Sequence, residues 1–204
     1  MPVVTISRQY GAGGQTLGKD LAERLGSRLM NHDMFNKIAQ KAGVSLKSVE
    51  LAEKETGNLL SRLINEVFSQ SFAPKQVQGV DLTEEKYLDC VRSVMKELAA
   101  KGNVVIVGVG AQYILPKRQD IIKVLLVAEQ EHRVTFIMEH YGLDREKAQQ
   151  VVQREERKRA TYLKAFGPGN PDDPSIYSLV INTGHVSLKD AEDLIVCLVE
   201  QVGK

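Results

Sequence analysis

Val3-Val4-Thr5-Ile6-Ser7-Arg8-Gln9-Tyr10-Gly11-Ala12-Gly13-Gly14-Gln15-Thr16-Leu17-Gly18 is the stretch whose reading decides the fold. Val3 to Ile6 is short, apolar and β-branched, which predicts a strand buried on both faces. Gly11, Gly13 and Gly14 open backbone conformations closed to other residues and let a ligand approach the main chain. Leu17, Leu21, Ala22 and Leu25 then follow at helical spacing. A strand that turns through glycines into a helix N-terminus presents free N–H groups and the positive end of the helix dipole. It predicts an anion site, most often for phosphate. The blander reading, a tight connection that binds nothing, accounts less well for three glycines within four residues.

The turn is neither a GxGxxG dinucleotide fingerprint nor a full GxxxxGK[ST] loop. If Gly13 is the last loop glycine, Gly14 stands at the lysine position. If Gly14 is the last, Gln15 does, and Thr16 takes the Ser/Thr place that holds Mg²⁺ in such loops. Either way the lysine that supplies charge at a transferring phosphate is missing. Arg8 is the nearest cation before the turn. Lys19, a full turn into the helix, reads as a surface charge.

Outward from this stretch, the first helix runs to about Gly26, and Arg28 to Met30 reads as a short strand ending at Asn31-His32-Asp33. Helical stretches are predicted from Met34 to Gly43, from Ser45 as N-cap, and over Asn58 to Phe72, with a loop over Ala73 to Leu82. Thr83 opens a helix that ends at Gly102. Val104 to Val107 and Ile121 to Val127 are further buried strands. Val134, Ile137, Met138 and Tyr141 mark an amphipathic helix, broken at Gly142. Asp144 can cap a long basic helix running to about Phe166. Gly167 to Pro174 suits neither helix nor central strand. Ser178 to Ile181 is the last strand, and Leu188, Ala191, Leu194, Ile195 and Leu198 give the closing helix its buried face. Buried strands alternating with helices imply an α/β fold, a parallel sheet with helices on both faces. Ligands bind such sheets beyond the carboxyl ends of the strands. The candidate segments are therefore Arg8 to Thr16, His32-Asp33, Gly108 to Gln112, the residues after Val127, and Asn182-Thr183.

Among these, Arg154, Arg157, Lys158 and Arg159 lie on the basic helix before the Gly/Pro loop. Alone, the series would be a solvated charged face beside Glu155 and Glu156. Placed just before the last strand, it is where a mobile lid would bring arginines over phosphates. Asp33 has two open readings: a cap for the helix starting at Met34, or a carboxylate that holds a Mg²⁺-bound water or accepts a hydroxyl proton. Gly108-Val109-Gly110 and Asn182-Thr183-Gly184 follow strands and also read as tight turns.

The chain has 204 residues, 43% hydrophobic and 26% charged, with a formal net charge of +1. That fits one domain, 1–204, possessing a helical acceptor side at about 34–102 and a lid at about 144–175. No global field favours nucleic acid or membrane. No run approaches the ~18 apolar residues of a spanning helix. With the first strand at the N-terminus and Cys90 and Cys197 isolated, the reading is of a cytoplasmic protein without a signal peptide. The apolar Leu59 to Phe68 helix suits core packing, or the surface of a homodimer.

The order ISRQYGAGG, NHD before a helix, VVIVGVGA, an arginine-rich helix with R-x-x-Y, then DP-x-x-Y-x-LVINT resembles the cytidylate kinase-like family, a branch of the P-loop nucleoside monophosphate kinases. The resemblance spans Thr5 to about Val196 and rests on five segments in order. It implies a P-loop NTPase-type five-stranded parallel sheet and ATP- and Mg²⁺-dependent phosphoryl transfer to a nucleoside monophosphate such as CMP or dCMP. It implies that Gly11, Ala12, Gly13, Gly14, Gln15 and Thr16 hold ATP phosphates and that Arg154, Arg157 and Arg159 are lid cations. Asn182 and Thr183 would lie near the adenine, and Asp33 would serve the acceptor or a metal. Against true cytidylate kinases the loop lysine is absent. Val109 stands where the pattern GRGA has arginine, and Glu156 where it has aspartate. Losing cations that stabilise transition-state charge commonly costs about 3 kcal/mol or more. The alternatives to a kinase of this type are therefore a nucleotide-binding or sensor protein without turnover, and a kinase of another small acceptor.

Overall fold

A computed structural model describes residues 2–30, 84–116, 118–164, 166–167 and 169–202. The expectations for Asp33, the helices over 34–72, the loop over 73–82 and the Leu59 to Phe68 face lie outside these residues. The chain divides into two units, Met1–Leu29 with Lys101–Lys204, and Met30–Ala100. In the first unit, strands β1 (Val3–Arg8), β2 (Arg28–Leu29), β3 (Val104–Val107), β4 (Ile121–Val127) and β5 (Leu179–Asn182) form one sheet in the order β2-β3-β1-β4-β5. Every pairing is parallel. The last strand begins one residue later than the apolar run suggests and reaches Asn182.

β1, β3 and β4 are buried almost without interruption, because helices cover both faces of a parallel sheet. Helix α1 (Gly14–Arg24) and the closing helix, Leu188–Val202, pack Leu17, Leu21, Ala191, Ile195 and Val199 onto Val4, Ile6, Val105, Val124 and Leu126. Helix α2 (Glu84–Lys101), the described part of the second unit, buries Val94, Met95 and Leu98, as its periodicity predicts. After β3 comes a four-residue helix α3 (Ala111–Ile114), where the sequence reading had only a turn. It forms because Gly110 caps it in the left-handed conformation and a lysine from another strand satisfies its end. Lys123 of β4 is buried and donates Nζ–H to the carbonyls of Gln112 (2.9 Å) and Leu115 (2.7 Å).

Helices α4 (Gln130–Tyr141) and α5 (Arg145–Lys164) make an antiparallel pair with a small core of Val134, Ile137, Ala148 and Val152. Asp144 caps α5, its carboxylate accepting from the Lys147 N–H at 2.9 Å. The closing helix is α6. Within the Gly/Pro segment one 3₁₀ turn, Pro174–Ile176, forms because Asp173 accepts from the Ser175 N–H at 2.9 Å. β1 lies at the centre of the sheet between β3 and β4, so its glycine turn opens at the middle of the carboxyl edge.

Candidate phosphate site

At the end of β1 the chain turns through Gly11 (φ 89°) and Gly13 (φ 76°) into α1. Both are left-handed, a conformation costly for residues with a Cβ. Crowding excludes a side chain as well: a Cβ on Gly11 would lie 2.8 Å from the Arg133 carbonyl, and one on Gly13 2.7 Å from Leu188. Gly13 is the N-cap of α1 and brings no side-chain cap. The first-turn N–H groups of Gly14, Gln15 and Thr16 therefore remain available to an anion. Thr183 supports the loop from beneath. Its buried hydroxyl reaches the carbonyls of Ala12 (3.2 Å) and Val127 (3.3 Å). Asn182 accepts from the Gly184 N–H at 2.9 Å and so shapes the turn after β5.

Arg8 leaves β1 across this loop. A Cβ on Gly14 would strike its Cγ at 2.8 Å, and one on Gly108 would strike Nη1. The guanidinium thus lies between the glycine turn and the turn after β3. Arg8 has no hydrogen-bond acceptor or ion-pair partner among the described residues. Burial, and secondarily the positive charge of Arg159, push its pKa down to about 10. The Glu156 carboxylate acts on it from a distance and offsets this only in part; a desolvated cation without a bonded counter-ion is costly.

A second layer of charge closes over Ser7 to Tyr10. Arg133 of α4 donates to the carbonyls of Ala128 (3.0 Å) and Tyr10 (3.3 Å) and to Glu156 (3.3 Å). Glu156 accepts the Tyr10 N–H at 2.9 Å and Arg159 Nη1 at 2.8 Å. Arg159 Nη2 bonds Asp172 at 2.6 Å and approaches the Ser7 hydroxyl at 3.4 Å. Burial lowers the Arg159 pKa, but Asp172 and Glu156 outweigh it and the balance is upward. Gln9 bridges the two edges, donating to Asp172 at 3.0 Å and accepting from the Ala128 N–H at 3.1 Å.

Of the candidate residues, Arg8, Arg159, Gly11 to Thr16 and Thr183 converge here. Arg154 and Arg157 do not: both are exposed, Arg154 paired with Glu155 at 2.9 Å and Arg157 bonded to its own Gln153 carbonyl at 3.2 Å. Arg157 lines a cavity of about 380 Å³ between α4 and α5, with Arg133, Val152 and Glu156. Gln9 and Arg133 lie within two of the candidate segments, Arg8 to Thr16 and the residues after Val127, although the sequence reading gives neither a role of its own. Asp172 escaped the sequence reading.

Val109 has φ 56° between Gly108 (79°) and Gly110 (75°) and is buried. A β-branched residue there is strained by about 1–3 kcal/mol, and such strain persists only where the surroundings impose it. Phe166, just beyond α5, packs against the neighbouring Gly110, where a Cβ would lie 2.7 Å from its ring.

The donor set suits a triphosphate with Mg²⁺. It consists of glycine-loop N–H groups, the Arg8 guanidinium, unpaired among the described residues, and the half-buried Thr16 at the start of α1. Among the described residues no group of three or more His, Cys, Asp or Glu could hold a metal by itself. Mg²⁺ of this kind needs few protein ligands, since phosphate oxygens and water complete its shell.

A central parallel strand, a glycine-rich loop capping a helix, and arginines above it define an α/β fold of the P-loop type. Residues 3–185 match the cytidylate kinase-like family, and the chain belongs to it. It is 30% identical over 186 residues to a cytidylate kinase from Ignicoccus hospitalis, covering 90% of each chain. Its fold is similar to an uncharacterized protein from Eubacterium ventriosum, with a TM-score of 0.67 at 22% identity over 98% of both chains. It is also similar to shikimate kinase from Acinetobacter baumannii, with a TM-score of 0.52 at 17% identity over 98% of this chain and 94% of that one. Membership of this family supports a kinase-like phosphotransferase. No helix among the described residues is long and apolar enough to cross a membrane.

Proposed function

We propose that the chain transfers the γ-phosphoryl group of ATP to a nucleoside monophosphate, CMP or dCMP being the first candidates. The observation that carries this reading is Arg8, a desolvated guanidinium with no bonded counter-ion among the described residues, held against a glycine loop. An anion at the loop would supply the missing charge. The N–H groups from Gly13 to Thr16 would hold the β-phosphate. Arg8 and Arg159 would neutralise charge developing on the transferred group. Arg133 fixes the loop through the Tyr10 carbonyl. Thr16 would be the protein ligand of Mg²⁺, which when bound neutralises and orients phosphate oxygens. Asp33 is assigned to the acceptor side, and Asn182 and Thr183 to the adenine side. An acceptor that is itself a phosphate needs no strong general base. The 30% identical cytidylate kinase supports the cytidine nucleotides as acceptors. We place the activity in the cytoplasm, with a nucleotide and a small phosphate acceptor as partners.

Val109 favours a second reading, binding without turnover, because an apolar residue stands where the family pattern has a cation. An ADP-release assay against a panel of nucleoside monophosphates separates the two. Release with CMP or dCMP above background is expected. No release with any acceptor, together with intact ATP binding, would establish the binding-protein reading.

A further inference from the structure

The carboxylates at the mouth of the glycine turn have no role in phosphoryl transfer, yet they hold two of its three arginines. Glu156 takes one N–H from the loop itself, at Tyr10, and bonds both Arg133 and Arg159. Asp172 takes Arg159 and the Gln9 amide, one with each oxygen. Backbone N–H and guanidinium donors are the groups that phosphate oxygens seek. The Arg159 and Asp172 side chains keep 14% and 23% of their exposure, so water screens the pair only in part. Among the described residues Arg8 alone of the three arginines lacks a carboxylate.

We infer that Asp172 is an internal counter-anion, which phosphate must displace from Arg159, and that it thereby sets the affinity for nucleotide. The inference rests on the reading that the glycine turn holds nucleotide phosphates. In the free protein Asp172 ties the segment between α5 and β5 to Arg159 and, through Gln9, to the start of the turn. A phosphate oxygen that bonds Arg159 Nη2 takes the place of Asp172 Oδ1. Each bond gained to phosphate is then offset by a bond lost to carboxylate. Loss of this tie loosens the segment that Asp172 anchors. Around Asp172 itself that segment is held by short-range bonds, Asp173 N–H to the Asn170 carbonyl at 3.1 Å and Ile176 N–H to the Asp173 carbonyl at 3.2 Å, and it is tied to β4 only at its far end, where the Ser178 N–H bonds the Lys123 carbonyl at 2.7 Å. If instead Asp172 merely holds Arg159 ready for substrate, its loss weakens binding. The two ideas predict opposite signs.

The test is calorimetric titration of inorganic tripolyphosphate into the wild-type protein, Asp172→Asn and Asp172→Glu. Asn keeps the shape and removes the charge. Asp172→Asn should bind about 3- to 10-fold more tightly, with a steeper fall in affinity as salt rises. Asp172→Glu should stay near wild type. Equal or weaker binding by Asp172→Asn overturns the inference. No binding by wild type refutes the phosphate site itself, a separate failure. Hydrogen exchange in the wild-type protein gives a check that needs no variant. Saturating tripolyphosphate should speed exchange at the Asp173 and Ile176 amides, and unchanged protection there overturns the inference.

Discussion

Replacing Arg8 with methionine should make the protein more stable and much worse at binding phosphate. Methionine keeps the aliphatic stem that lies over Gly14 and removes the guanidinium beside Gly108. Burial and the Arg159 charge bring the Arg8 pKa down to about 10. Against an ordinary arginine at roughly 12.5, that places about 3 kcal/mol against the charged form in the folded state. The sign is fixed by the direction of the shift. Arginine is protonated in the unfolded chain at every pH below roughly 12, so the folded state carries this penalty in full at neutral pH and loses it only above pH 10. Some of the gain is offset by imperfect packing of the new side chain, leaving about 1–3 kcal/mol. At roughly 2–4 °C per kcal/mol for a chain of this size, melting should rise by about 2–12 °C. Binding moves the other way. A partly desolvated guanidinium–phosphate contact is worth about 3 kcal/mol, so tripolyphosphate affinity should fall about 100-fold. The assay is a thermal melt with and without tripolyphosphate, since ligand stabilisation follows from concentration over Kd. A variant that melts lower than wild type, or that keeps its ligand-induced shift, refutes the claim that Arg8, which has no bonded counter-ion among the described residues, awaits an anion.

The remaining predictions concern the loop and its supports. Gly13→Ala places a Cβ at φ 76° and against Leu188, so it should lose about 1–3 kcal/mol of stability as well as phosphate binding, read by melting and titration. Thr183→Val leaves the Ala12 and Val127 carbonyls without the hydroxyl; a loss of about 1–2 kcal/mol and weaker ATP binding should appear in the same two measurements. Burial and the neighbouring Tyr141 push the Tyr10 pKa up to about 12. The unfolded tyrosine ionises from about pH 10, so Tyr10 withdraws stability as pH rises through that window, and Tyr10→Phe should flatten the alkaline fall in unfolding free energy.

The turn after β1 was legible because its signals are local: a β-branched run, three glycines, then apolar residues at helical spacing. β3 and β4 were legible for the same reason, as unbroken apolar runs. Helix α3 was not. Ala111 to Ile114 carries no periodicity, and the group that satisfies its end is Lys123 on a different strand. The basic helix shows the same limit at the site. Spacing put Arg154 and Arg157 or Lys158 on one face, but spacing does not say which face docks. Val152, Glu155 and Tyr162 are buried, and that choice turns Arg159 toward Ser7 and leaves Arg154 and Arg157 outside. Asp172 was invisible because its segment has no repeat and its partners, Gln9 and Arg159, lie far off in sequence.

The absent lysine can be weighed against what stands near its place. A P-loop lysine brings one positive charge to the transferring phosphate. Among the described residues three arginines, Arg8, Arg133 and Arg159, meet two carboxylates, Glu156 and Asp172, a balance of one positive charge. Within that set the unbalanced charge resides on Arg8, since each of the other two is bonded to a carboxylate. Packing alone would not favour a guanidinium there, because an apolar side chain of similar length would fill the space between Gly14 and Gly108 without desolvating a charge. The arrangement is stable only if other contacts carry the deficit in the free protein, and it becomes favourable when an anion arrives. A cation in that condition bonds phosphate without first surrendering a partner, unlike Arg159. Arg8 should therefore dominate initial phosphate binding, while Arg159, released from Asp172, contributes once the loop is filled.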